Sequence, residues 1–244
     1  MALLGWGPAC TCFSRICPRF VRRITFASVN QEPVTARPAA VQAATAVASG
    51  WGNSAPLALA GFAVTTFMLS LVNANIVPAA TQPVVFAVAF MFGGLAQLIA
   101  GIICLRNGNV FAGVLFSGFG AFWLSFYAIG EFFLKDVPVL QVGHALGLFL
   151  YAFGIFAAIM FVASFRTSIG TVLALALLVA ALFILGAGFY TATSGLIKTG
   201  GWVGIALAGV AFYLCLAELC ELEYGRAILP VGHLAKVPGE SLGE

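Results

Sequence analysis

The sequence predicts an all-α integral membrane protein with six transmembrane helices. Two observations carry this reading. Of 244 residues, 62% are hydrophobic and 8% charged, with a mean hydropathy of +1.08; a soluble domain has about 25% charged residues. The few charges are also confined to boundaries. No Asp, Glu, Lys or Arg occurs from Pro38 to Leu105, Asn107 to Gly130, Val137 to Phe165, or Thr167 to Ile197. The first gap holds two spans and a tight hairpin, the others one each, and a last span follows Lys198. The spans fall at about 56–77, 82–104, 109–130, 142–163, 169–190 and 201–220. They form a transmembrane domain over 51–224, between an N-terminal tail (1–50) and a C-terminal tail (225–244).

The N-terminal tail carries Arg15, Arg19, Arg22 and Arg23 with no acid before Glu32. Its apolar start precedes the arginines, the reverse of a secretory signal. A basic, acid-poor segment fits an organelle transit peptide or a disordered tail lying near anionic lipid. The net charge of +3 largely reflects this tail.

The first span opens N-S-A-P-L-A-L from Asn53 to Leu59. Asn53 or Ser54 can cap free helix amides, and Pro56 suits a first turn where no donor is needed. Phe62, Thr66, Ser70 and Asn73 are spaced four, four and three, which makes one stripe on a helix. A lipid-facing span has no use for hydroxyls and amides, so the stripe faces protein or a polar path.

In the second span Gly93, Gln97 and Gly101 recur every four residues. The glycines suit close helix contact, and Gln97 is either glue across that contact or pathway lining. Arg106–Asn109 has turn chemistry. On the third span Gly120, Trp123, Tyr127 and Glu131 share a face; aromatics near a helix end commonly form an interfacial belt, and Glu131 sits at the boundary. The fourth span begins with His144 between Gly143 and Gly147, and a solvated imidazole is the reading there. The fifth is almost purely aliphatic. Glu218 falls in the last turns of the sixth, where an acid snorkels to the interface by default. Ala121–Phe126 faintly echoes Ala211–Leu216, three spans on, as an internal repeat would.

Several classes are excluded. The basic residues have no folded surface on which to meet nucleic acid. The six cysteines lack disulfide or zinc spacing. There is no nucleophile–base constellation and no metal spacing, so neither an enzyme nor a cofactor is expected. Arg37, Arg106, Arg166, Arg226 and Lys236 fall on one side of the spans, against Lys135 and Lys198 on the other. Both termini are therefore expected to be cytoplasmic or equivalent. The plasma membrane is the expected site, with an organelle membrane as the alternative raised by the arginine-rich tail.

Asn53–Leu59 resembles the N-P-A-P-L-G-L signature of the acetate uptake transporter family (AceTr). G-F-A-V-T-T-F-M-L-S-L, F-G-G-L-A-Q-L-I-A-G, S-G-F-G-A-F-W-L-S, G-W-V-G-I and E-Y-G-R-A-I-L-P-V-G resemble further family blocks in order, through Gly232. The resemblance implies the channel/transporter fold of the bacterial succinate–acetate permeases, a homo-hexamer, and in each protomer a path for small monocarboxylates, usually with a proton. It also implies a gate of bulky side chains at Phe62, Phe119 and Leu178. Three positions depart from the pattern: Ser54 replaces a proline, Ala58 a glycine, and Phe119 a common tyrosine.

The expected function is proton-coupled transport of acetate and other short carboxylates such as succinate. With no Lys or Arg inside a span, no fixed cation can hold a bare carboxylate, whose desolvation is costly. Either the protonated acid crosses, or helix ends and donors share the charge. Asn53, Pro56 and Leu57 at the first helix start, with Thr66, Asn73 and Gln97, are the expected substrate-binding and pathway residues. The alternatives are a passive channel for small neutral solutes (ammonia, acetic acid) and a non-transporting membrane scaffold.

Overall fold

In the computed structural model, residues 51–234 are described; both the arginine-rich tail and the last ten residues lie outside them. Six apolar helices are long enough to cross a membrane: α1 (Ala55–Asn73), α2 (Ala79–Arg106), α3 (Val110–Asp136), α4 (Val139–Arg166), α5 (Ile169–Tyr190) and α6 (Ser194–Tyr224). Among the described residues the only β pairing is an isolated bridge between Ser168 and His233.

Helix α1 ends at Asn73, four residues before the expected limit of Val77. Asn75 takes a left-handed φ of 60°, a conformation asparagine tolerates better than most residues. The amides of Ile76 and Val77 both turn back to the Leu71 carbonyl, at 3.0 and 3.2 Å. At the other end of the chain, α6 begins seven residues before the expected 201 and runs for 31 residues. That is about 46 Å, longer than a hydrocarbon core of about 30 Å. Gly200 and Gly201, close to the expected start, are contact points inside the helix.

Helix α2 is interrupted by a π-helical stretch over Ala89–Ala96. Its i→i+5 bonding adds a residue to the turn, and this breaks the expected Gly93–Gln97–Gly101 ladder. A Cβ at Gly93 would lie 2.6 Å from Thr65 Oγ1 of α1, whereas one at Gly101 would meet the Ser117 backbone of α3. A second π stretch, Ile129–Phe133, ends α3.

The helices close into a ring. Neighbours in sequence pack along the chain, and α1 returns against α6. The α1–α6 contact is made by small residues: a Cβ at Gly201 would strike the Ala74 backbone, and one at Gly204 the Ser70 hydroxyl. Backbones of α3 and α4 approach least, and phenylalanines bridge them, with Phe122 stacked on Phe149 at 5.1 Å and 17°. Many large apolar side chains point outward, including Met91, Leu148 and Val162, as lipid requires.

After α6 the chain stops at Gly225, whose φ of 67° is left-handed, and folds back over the start of α5. The first amides of that helix, Ile169 and Gly170, donate to the carbonyls of Gly232 and Val231 at 2.8 and 3.1 Å. The Tyr213 hydroxyl donates to Pro230 O at 2.8 Å.

Candidate transport pathway

Aromatic residues converge in the interior of the helix ring. The Phe62 ring of α1 meets Phe119 of α3 edge-on, with centroids 5.9 Å apart and planes at 76°. Phe119 is 1% exposed and Leu178 of α5 is buried in the same apolar cluster. The three residues expected at one level thus belong to one cluster. Sequence reasoning missed the share of α4: Phe153 and Phe156 lie 6.5 and 5.5 Å from Phe119. The signal was present, since Phe149, Phe153 and Phe156 are spaced four and three, which is one helical face.

Near this aromatic cluster lie buried polar atoms without a hydrogen-bond partner. Thr66, one turn beyond Phe62, is 8% exposed and its Oγ1 has no hydrogen-bond partner. Its neighbour Thr65 is accounted for, donating to Gly61 O at 2.8 Å. Gln97 of α2 is 1% exposed, with Oε1 unpartnered; its Cβ would sit 3.7 Å from a Cβ added at Gly61. Gln97 therefore packs at Gly61 of α1. Trp123 of α3 is also buried with Nε1 unpartnered, so it belongs to the interior and not to an interfacial belt. Nearly all buried polar atoms in folded proteins have a partner; these three exceptions lie on the neighbouring helices α1, α2 and α3. Ser70 is buried against α6, and Asn73 is half-buried in the last turn of α1.

At the start of α1 the two candidate caps divide the work. Exposed Asn53 accepts the Ala55 amide through Oδ1 at 3.0 Å. Ser54 instead donates across to Ala100 O of α2 at 2.8 Å and lies 3.3 Å from Cys104 Sγ. Pro56 is buried, and its carbonyl accepts from Cys215 Sγ of α6 at 3.3 Å. Leu57 is 45% exposed. Above this helix start, Arg106 stacks on Trp51 at 5.5 Å and Asn107 Nδ2 donates to Gly52 O at 3.0 Å.

Two acids on the helices behave differently. Glu131 is exposed. Glu218 is half-buried, and its Oε2 is shut off from solvent without a hydrogen-bond partner. His144 is exposed, 2.9 Å from Gln141 Oε1 through Nδ1, with its ring on Tyr190 at 4.5 Å. Every Lys and Arg among the described residues is exposed, so the interior holds no fixed cation. Cys104, Cys215 and Cys220 are free thiols.

Six apolar helices closed into a ring around an aromatic interior make a multi-pass integral membrane protein, and its relatives are transporters and channels. The chain belongs to the GPR1/FUN34/yaaH family, whose model matches residues 36–236. It is 31% identical over 183 residues to the succinate-acetate/proton symporter SatP of Escherichia coli strain K12, covering 74% of this chain and 95% of that protein. It is 32% identical over 203 residues to acetate permease A of Emericella nidulans, covering 77% and 68%. Ammonia transport outward protein 2 of Saccharomyces cerevisiae is 35% identical over 178 residues, covering 71% and 63%. The solved structure of the bacterial acetate channel SatP superposes with a TM-score of 0.69 at 30% identity, covering 74% of this chain and 99% of that one. The resemblance read from Asn53–Leu59 and the later blocks is therefore borne out, as is the six-helix fold. Family and structural neighbour are transporters and channels, not enzymes.

Proposed function

We propose that this protein moves acetate, and other short carboxylates such as succinate, across its membrane together with a proton. The observation that carries the reading is the pairing of a dry aromatic waist with buried, unpartnered Thr66 Oγ1 and Gln97 Oε1 at its side. A small carboxylic acid has an apolar end that passes between Phe62, Phe119 and Leu178, and a polar end that hydrogen-bonds such atoms on the way. Hydrated ions are turned back, because the waist offers nothing to replace their water. The absence of an interior Lys or Arg favours cargo that travels neutral, which is equivalent to cotransport of acid anion and proton. At the inner mouth, Asn53, Pro56 and Leu57 surround the positive end of α1, where an arriving carboxylate gathers before entry. The names of the symporter, permease and channel relatives support the substrate class.

The protomer assembles as a homo-hexamer with a path in each subunit, and both termini face the cytoplasm or its equivalent. The positive-inside asymmetry of Arg106, Arg166 and Arg226 supports that orientation. A passive channel for neutral acetic acid or ammonia is the second reading, favoured by the relatives named for a channel and for ammonia transport.

Labelled acetate uptake into proteoliposomes separates the two. Accumulation driven by an inward proton gradient, above that of empty liposomes, supports symport; equilibration without accumulation supports the channel. Uptake equal to empty liposomes would remove both readings.

A further inference from the structure

We propose that Glu218 is the proton-exchanging group at the inner mouth, a carboxyl that trades a proton with the passing carboxylic acid. The proposal rests on the transport reading above and adds the residue through which the proton moves.

Glu218 lies on α6, one turn beyond Cys215. The Cys215 thiol donates to Pro56 O at 3.3 Å, which presses this side of α6 against the first turn of α1. From the opposite side comes Cys104 of α2, 3.3 Å from the Ser54 hydroxyl. Glu218 is within electrostatic reach of both thiols, so it stands where α1, α2 and α6 meet. Its Oε2 is shut off from solvent and has no hydrogen-bond partner. A turn further on, Glu221 and Glu223 are exposed on the same helix, so a solvated position lies close by along α6. A buried carboxyl kept for stability alone is better replaced by an apolar side chain. One kept to receive a donor is left as this one is, with a vacant acceptor.

The titratable groups around it are few. Cys104 faces it from α2; Cys215 and Glu221 lie on its own helix. Helix α1 has none along its length, and α5 none between Ile169 and Phe189. The nearest cations are exposed at helix ends. Glu218 is thus the acid–base group placed beside the start of α1, where the cargo carboxyl arrives.

The step balances without any further reactant. As R–COOH reaches the mouth from the waist, its O–H bond breaks and an Oε2–H bond forms on ionised Glu218. The cargo departs as R–COO⁻ past the α1 amides, and one negative charge is present before and after. In the other direction the proton returns to the carboxylate before it enters the waist.

The test uses the full-length chain in proteoliposomes, comparing wild type with Glu218→Gln and Glu218→Asp. Labelled acetate counterflow at equal pH reports the path; accumulation under a pH gradient reports coupling. Infrared difference spectra on adding acetate report a change in the Glu218 carboxyl stretch. Glu218→Gln is expected to slow the initial rate of gradient-driven uptake per folded protein by about tenfold or more and to lack the acetate-induced carboxyl band; Glu218→Asp recovers part of both. An initial uptake rate and pH profile equal to wild type in Glu218→Gln would overturn the proposal and leave the transport reading standing. So would a loss of counterflow and accumulation together, in proportion to folded protein, which marks a structural residue. Wild-type protein with no uptake above empty liposomes removes the transport reading itself, and the proposal with it.

Discussion

The edge of the Phe62 ring rests on the face of Phe119 with centroids 5.9 Å apart, joining two helices that are not neighbours in sequence. With Leu178 in the same buried cluster, this pair forms the proposed gate. Truncating Phe62→Ala opens the waist, and larger acids such as butyrate then enter while the preference for acetate falls. The lost packing costs about 3–5 kcal/mol, so thermal stability is measured beside the flux of a graded acid series. Unchanged size selectivity in a folded variant places the constriction elsewhere.

Asn53 has a structural task, accepting the Ala55 amide at 3.0 Å, and removing a cap costs about 1 kcal/mol. Asn53→Ala is expected to lower acetate flux well beyond that modest loss of stability, because the same side chain stands at the proposed entry. Flux normalised to folded protein is the measurement. A ratio equal to wild type reduces Asn53 to a cap.

Gln97 was readable either as glue or as lining. Its Cβ faces Gly61 of the same chain, and its Oε1 bonds nothing, so Gln97→Leu removes an unmet acceptor at little cost to the fold. The expected outcome is a melting temperature and hexamer content like wild type with reduced acetate transport. Loss of hexamers in native mass spectra, with normal flux per protomer, would reverse the assignment.

The α1–α6 seam gives a comparison of two glycines one turn apart. A Cβ at Gly204 meets the Ser70 hydroxyl, the movable end of a side chain, whereas at Gly201 it meets the Ala74 backbone. Gly204→Ala is therefore tolerated, while Gly201→Ala forces the helices apart and costs about 1–3 kcal/mol. Detergent-solubilised melting curves of the two variants decide the order. Equal melting points would mean that the seam yields as a whole.

The sequence by itself determined the number of spans and their order, because transfer of a segment into lipid depends on that segment's own residues. Gaps between charges did that work, and Asn53–Leu59 with its companion blocks led to the family. The Thr66–Ser70–Asn73 stripe was also legible, since helical spacing alone places those residues together. What only the tertiary structure decided concerns pairs of helices. The expected sixth span starts near 201, yet α6 starts at Ser194, and Gly200 and Gly201 sit inside it, fitted against Leu185 and the Ala74 backbone. Ser54 read as a cap and a departure from the family signature; its hydroxyl instead ties α1 to the Ala100 carbonyl of α2. Trp123 and Glu218 read as interface residues; Trp123 is buried with Nε1 unpartnered, and Glu218 is half-buried with Oε2 unpartnered. In each case hydropathy and spacing specify which residues lie on a helix face, but the partner across the contact specifies what that face does. No single segment contains its partner.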